Sequence, residues 1–176
     1  CSIGKRDVLS QNTIIYGHHL GNPQGVTNDP DGIKFGQLLR FREKDFAEAN
    51  PYIYLTTEKG DLVYQVFAVS DAPTVTSPIE YNLVDYSDED FIKLTKDLRR
   101  RSYYNYPDVT VEADDKIMIL STCVYDYGTY AENNKQRFLV VAKLVTGKYF
   151  EETANVTENT NRKLSPYDPN SSSEAA

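Results

Sequence analysis

The sequence has no tryptophan, one methionine and only two cysteines, Cys1 and Cys123. Two thiols make at most one disulfide, so a small secreted scaffold stapled by a disulfide framework is excluded, while the compartment stays open. Histidine is as scarce, with His18 and His19 side by side, and no Cys/His cluster has zinc-site spacing. There is no glycine-rich phosphate loop, no internal repeat and no segment resembling a signal peptide. No stretch approaches the roughly 18 apolar residues needed to cross a bilayer. Positive charge is in deficit, 19 Lys and Arg against 26 Asp and Glu, and the resulting net charge of −7 disfavours nucleic acid and anionic membranes as partners.

What is present is an ordinary globular composition with 14 tyrosines, long enough at 176 residues for one domain with a sizeable core. It opens on Cys1, and a fragment of a longer precursor is expected. Residues 1–11 read as a loop entering a strand at Asn12–Tyr16, which stops at Gly17. The stretch 21–32, with Pro23, Gly25, Asn28, Asp29 and Pro30, reads as loop. Short helices are expected over Phe35–Leu39 and Lys44–Asn50, the second closed by Pro51. Tyr52–Thr56 and Leu62–Val69 make the clearest hairpin, turning through Glu-Lys-Gly-Asp. Ser87 is a plausible N-cap for a helix with Asp88, Glu89 and Asp90 in its first turn, Phe91, Leu94, Thr95 and Leu98 on one face, and Arg99–Arg101 at its solvated C-terminal end. Val109–Val111 reads as a brief strand. Residues 116–123 and 136–144 are apolar β-branched runs flanking a polar loop, and they read as paired strands. Beyond Leu144 the chain turns polar; 151–176 is expected to be a flexible C-terminal tail, disordered from Ser165.

Pairing of those last two strands sets the Cys123 thiol beside the Arg137 guanidinium at the open end of a sheet. Each candidate has an inert reading. Cys123 can equally be a buried structural thiol, the histidine doublet a solvated strand end, and Arg137 a charge on an edge strand. As a set, thiol, imidazole and fixed cation are the parts that acyl transfer requires.

These residues also match a family. The segments Asn-Thr-Ile-Ile-Tyr-Gly-His-His (12–19), Ile-Leu-Ser-Thr-Cys (119–123) and Arg-Phe-Leu-Val-Val-Ala-Lys-Leu (137–144) resemble sortases of class B, cysteine transpeptidases of Gram-positive bacteria. The resemblance spans about three quarters of the chain, from Asn12 to about Leu144, and the Ser87–Arg101 helix resembles the class B insertion between late barrel strands. It implies a mainly β fold, a sortase-like closed β-barrel. Residues 1–150 would be the catalytic domain, with the family's first strands lying upstream of this chain. It implies His18, the first histidine after Gly17, as the catalytic one, with Cys123 the nucleophile and Arg137 the third member. Tyr16, Ser121 and Thr122 become candidate substrate contacts, and His19 is expected to matter much less than His18. The family cuts an Asn-Pro-x-Thr sorting signal after threonine and passes the acyl group to an amine of the cell wall or of a pilin. That implies no cofactor and no metal, a monomer, and work at the extracellular face of the bacterial membrane, with its anchor outside this chain.

Other cysteine peptidases fit less well: papain-like enzymes place cysteine before histidine, and the caspase Gln-Ala-Cys signature is absent. A sortase-like hydrolase and a non-catalytic β-barrel binding module stay open. Thiol reactivity separates them: a catalytic Cys123 alkylates fast and with a pH dependence of its own, whereas a buried thiol reacting no faster than a free one would leave the binding module.

Overall fold

The computed structural model describes residues 2–3, 10–20, 28–76, 78–127, 135–145 and 153–171. In chain order the elements are β1 (Ser2–Ile3), β2 (Asn12–Tyr16), β3 (His19–Leu20), β4 (Ile33–Lys34), a 3-10 helix (Phe35–Arg42), α1 (Lys44–Ala49), β5 (Tyr52–Thr57) and β6 (Gly60–Pro73). There follow α2 (Asp88–Arg101), β7 (Tyr104–Asn105), β8 (Ile117–Cys123), β9 (Gln136–Val145) and β10 (Thr157–Glu158). Six strands form one curled half-barrel sheet in the order β1-β2-β8-β9-β6-β5, so the mainly β class is as expected. Among the described residues β1 and β5 are its edges, where a closed ring was expected of the complete family fold. Residues Ser2–Ile3, expected as loop, pair with Ile14 and Ile15.

The most apolar runs take the middle of the sheet. Ile117–Ile119 of β8 and Phe138–Ala142 of β9 are buried, as befits strands covered on both faces. β2 lies beside β8 and runs parallel to it, the one parallel pair in this sheet, with Asn12 opposite Ile117 and Tyr16 opposite Ser121. A parallel neighbour needs a long crossover, and the whole stretch from β3 to β7 supplies it. The Asn12 amide, fully buried, donates to the carbonyls of Tyr81 and Leu83 at 2.8 Å each and pins the 78–87 loop across the start of β2.

β5 and β6 form the expected hairpin. It turns on Glu58 and Lys59, and Gly60 takes φ +124°, a conformation that costs glycine nothing. β6 runs four residues beyond the expected end at Val69. Between Val66 and Ala68 its register against β9 shifts by one, a bulge that leaves Phe67 as the extra residue, and it then continues buried to Pro73. The continuation carries polar residues that hydrophobic patterning passes over: Ser70 donates to the Leu98 carbonyl at 2.6 Å, which fixes α2 on the sheet.

α2 is built as expected. The Ser87 hydroxyl accepts from the Asp90 amide, and Phe91, Leu94, Thr95 and Leu98 face the core. The arginine run departs from expectation. Arg101 is 3% exposed and bonded to Asp97, while Arg99 lies over the Phe67 ring and donates to the carbonyls of Tyr106 and Val109. Only Arg100 is exposed. Residues 109–111 are not a strand; β7 pairs with β10 instead. The same pairing brings part of the expected tail, residues 153–171, onto the fold. Val156 and Ser165 are buried there, and the amides of Asn159 and Lys163 donate to the carbonyls of Tyr103 and Arg100. Polar composition was a poor guide because this segment satisfies its backbone against the C-terminal end of α2. Residues 172–176 lie outside the described residues.

Many tyrosines are buried, and burial is the first cause that pushes Tyr16, Tyr86, Tyr104 and Tyr127 up to about 12, with Tyr103 and Tyr106 raised as well. An unfolded chain ionises its phenols near 10, so between about pH 10 and 12 the folded chain binds more protons and stability falls as pH rises. Phenolate titration by absorbance should show a late group of tyrosines, and denaturant midpoints should drop through that window. A titration finished by about pH 10.5 would refute the buried phenols.

Candidate active site

The geometry of the site follows from the parallel pairing of β2 and β8. Their last register pair is Tyr16 with Ser121. The next residues continue the alignment: the Gly17 amide donates to the Ser121 carbonyl at 3.0 Å, and the Thr122 hydroxyl donates to the Gly17 carbonyl at 2.9 Å, 105 residues apart in sequence. The two strands then lead on to His18, two residues past the end of β2, and to Cys123, the last residue of β8. On the other side of β8, Cys123 stands directly opposite Arg137 of β9. Cys123 and Arg137 thus stand side by side at one end of β8 and β9, and His18 lies just past the end of β2, the strand on the other side of β8. His18 is exposed, and Cys123 and Arg137 are half-buried.

Close packing holds the turn after β2. A Cβ on Gly17 would meet the Phe35 ring at 2.2 Å, so the ring occupies the space that only glycine leaves free. The Phe35 amide donates to the His18 carbonyl at 3.1 Å, and His19 pairs with Lys34 across β3 and β4. The His18 backbone is thus fixed from β8 on one side and from the 3-10 helix on the other.

The expected substrate contacts separate. Tyr16 is half-buried near Arg137; burial first, then Tyr81, raise its phenol to about 12 against the lowering field of Arg137. Ser121 and Thr122 are both buried. The Ser121 hydroxyl is 3.2 Å from the Tyr81 hydroxyl, and that of Thr122 is spent on Gly17. Both hydroxyls have partners within the fold. Sequence reasoning missed Tyr81, because its loop has no periodicity to announce which residue turns inward.

It also missed a charged cluster behind the nucleophile. The Arg42 guanidinium donates to Asp126 twice, at 3.0 and 2.7 Å, and to Asp71 at 3.1 Å, and it lies over the rings of Tyr103 and Phe138. Burial alone would lower its pKa, but the bond to Asp126 and the charge of Asp71 outweigh that and raise it. Asp71 also accepts from the Tyr103 hydroxyl at 2.7 Å. Asn28 completes the cluster, donating to Asp126 at 2.7 Å and accepting from the Tyr125 amide at 2.8 Å. The segment after Cys123 is thereby tied both to the sheet and to the loop that follows His18. No group of three or more metal-ligating side chains is found among the described residues.

A thiol, an imidazole and a guanidinium are the side-chain types that cysteine acyl transfer requires, and Cys123, His18 and Arg137 lie at the ends of neighbouring strands. No protein-family model matches the chain. It is 33% identical over 138 residues to sortase B of Staphylococcus aureus, and 31% identical over 141 residues to sortase B of Listeria monocytogenes. These alignments cover 78% and 80% of this chain, which spans about half the length of the two curated relatives, 50% of each. Among solved structures, a sortase B complexed with triglycine superposes with TM-score 0.64 at 30% identity, covering 82% of this chain and 60% of that one. The Staphylococcus aureus sortase B–substrate complex superposes with TM-score 0.62 at 29% identity and the same coverage. The chain is a homologue of class B sortases over about four fifths of its length.

Removing Arg42 leaves the nearly buried Asp71 carboxylate with one hydroxyl and a distant arginine, Arg162 at 3.7 Å. Arg42→Met should therefore cost about 3 kcal/mol, the low end for breaking a buried pair. Denaturant unfolding measures it, and an unchanged midpoint would show that the cluster contributes nothing.

Proposed function

We propose that the chain carries the catalytic site of a cysteine transpeptidase that cleaves an Asn-Pro-x-Thr sorting signal after its threonine and transfers the acyl group to an amine. The observation that carries the reading is the register pair of Cys123 with Arg137 at the end of β8 and β9, with His18 two residues past the end of β2 on the other side of β8. Homology to class B sortases supports it, as do the relatives solved with a substrate and with triglycine.

In the first half-reaction the Cys123 sulfur attacks the threonine carbonyl, forming a C–S bond, and the oxygen takes the electron pair. Arg137, opposite Cys123 in the ladder, donates to that oxyanion, where a fixed cation in a half-buried site costs no reorganisation. The intermediate collapses with breakage of the C–N bond, and His18 gives its proton to the departing amine. The thioacyl-enzyme is then attacked by an incoming amine of a cell-wall peptide or a pilin lysine. His18 takes the proton, and the thiolate leaves. A peptide amine is the better supported acceptor, given a relative that holds a glycine tripeptide. The corresponding place of work is the outer face of a bacterial membrane.

Incubation of the full-length protein with a panel of sorting-signal peptides, followed by intact mass measurement, should reveal a covalent adduct that Cys123→Ala abolishes. His18→Ala should cut turnover by about 10² to 10⁴, as loss of a general acid–base does, and Arg137→Ala by about 10² to 10³, as loss of an oxyanion donor does. A reactive Cys123 that forms no adduct with any such peptide would sink the transpeptidase reading.

A further inference from the structure

The histidine doublet holds a second function. His19 is 1% exposed, so it is not the solvated neighbour of a catalytic residue. Its Nδ1 lies 3.0 Å from the Cys123 carbonyl oxygen, and its Nε2 lies 2.9 Å from the Asp29 amide nitrogen. The Asp29 amide can only donate, so Nε2 is the bare nitrogen; the ring proton sits on Nδ1 and is donated to the Cys123 carbonyl. The Asp29 carbonyl, 3.2 Å from Nε2, is a partner only for an Nε2–H, which would forfeit the bond from the Asp29 amide. The ring is also confined on its faces and edge. A Cβ on Gly36 would come within 3.1 Å of its Cδ2, and the Tyr125 ring stands 5.3 Å away between centroids.

We infer that His19 is a positioning residue for the nucleophile: its neutral imidazole bolts the Cys123 carbonyl to the loop that follows the catalytic histidine. The inference rests on the transpeptidase reading of His18, Cys123 and Arg137. Cys123 is the last residue of β8, where ladder bonds to β2 have already run out. The ring bond takes over at that point and limits how the Cys123 backbone, and with it the thiol, can move relative to His18. Three further contacts brace the same junction from its far side: Asn28 with Asp126, Asn28 with Tyr125, and Arg42 with Asp126. The expectation that His19 matters much less than His18 is therefore revised. Its loss should lower turnover without removing any group that touches substrate.

Two conservative variants split the two ring bonds. In His19→Asn the side-chain amide reaches the Nδ1 position and keeps a donor for the Cys123 carbonyl, while the Asp29 amide loses its acceptor. In His19→Gln the amide reaches the Nε2 position, keeping the Asp29 bond and losing the donor to Cys123. Both are to be made in the full-length protein beside His19→Leu. Turnover of a sorting-signal peptide, thermal melting and exchange of the Asp29 amide are then read together. The expected result is that His19→Asn retains most of kcat, whereas His19→Gln and His19→Leu lose at least about tenfold with KM nearly unchanged, as a misplaced nucleophile should. The Asp29 amide should stay protected in His19→Gln and exchange faster in His19→Asn, so that protection of the loop and rate move in opposite directions. Equal kcat in the Asn and Gln variants, or losses that only follow the melting temperatures, would overturn the inference. If wild type forms no adduct, the transpeptidase reading fails by itself, and the rate of Cys123 alkylation decides the tether. Slower alkylation in His19→Gln and His19→Leu than in wild type and His19→Asn sustains it, and equal rates in all four refute it.

Discussion

The parallel register between β2 and β8 is the constraint on which the site depends. It sets Tyr16 against Ser121 and carries through to Gly17 and Thr122, the residues just before His18 and Cys123. A slip of one residue would turn every side chain of β2 to the other face. Asn12 and Ile14, now fully buried, would then leave the core, and Asn12 would drop its bonds to the 78–87 loop. The register is thus specified by burial at the start of β2, while the chemistry stands just past its end. Core packing fixes the relative placement of two groups that sequence keeps more than a hundred residues apart.

The rest of the fold serves that register. The crossover that parallel pairing demands is long enough to hold β5, β6 and α2, and these cover and extend the same sheet. β6 reaches past its bulge to Pro73, so that Ala72 continues the row beyond Arg137 and Asp71 turns to the opposite face. There Asp71 meets Arg42, whose other carboxylate, Asp126, belongs to the segment leaving Cys123. An ion cluster on one face of the sheet thereby steadies a loop that begins on the other. Such a cluster adds modest net stability, since its charges were well solvated in the unfolded chain; its geometric effect is the larger one.

Strand runs, the β5–β6 hairpin, the capped α2 and the pairing of Cys123 with Arg137 were legible in the sequence, because each is written in local pattern: β-branched runs, a glycine turn, a serine followed by acids. What was not legible depends on partners far away in the chain. Nothing local marks Arg101 as buried or Arg42 as the ion that joins Asp71 to Asp126. The polar segment 153–171 read as tail because composition reports solvent preference and not whether a backbone finds bonds on a helix end. Thr122 and Ser121 looked available through adjacency to Cys123, yet one hydroxyl is held by Gly17 and the other by Tyr81. Adjacency in sequence is a weak guide at a strand end for a plain reason. Neighbouring residues of a strand point to opposite faces.

The same alternation accounts for the histidine doublet. With His18 exposed, His19 turns inward, among Gly36, Tyr125 and Asp29. A buried imidazole needs partners for both nitrogens, and the available ones are a carbonyl that β8 leaves over as it ends and an amide of the following loop. The two requirements solve each other: the strand end has an unpaired acceptor, and the inward ring has a donor. Two chemically identical side chains thus acquire distinct surroundings, the outer one exposed and the inner one held between the Cys123 carbonyl and the Asp29 amide. With His18 alone, the Cys123 carbonyl would lack the His19 bond at the point where the β2–β8 register has ended.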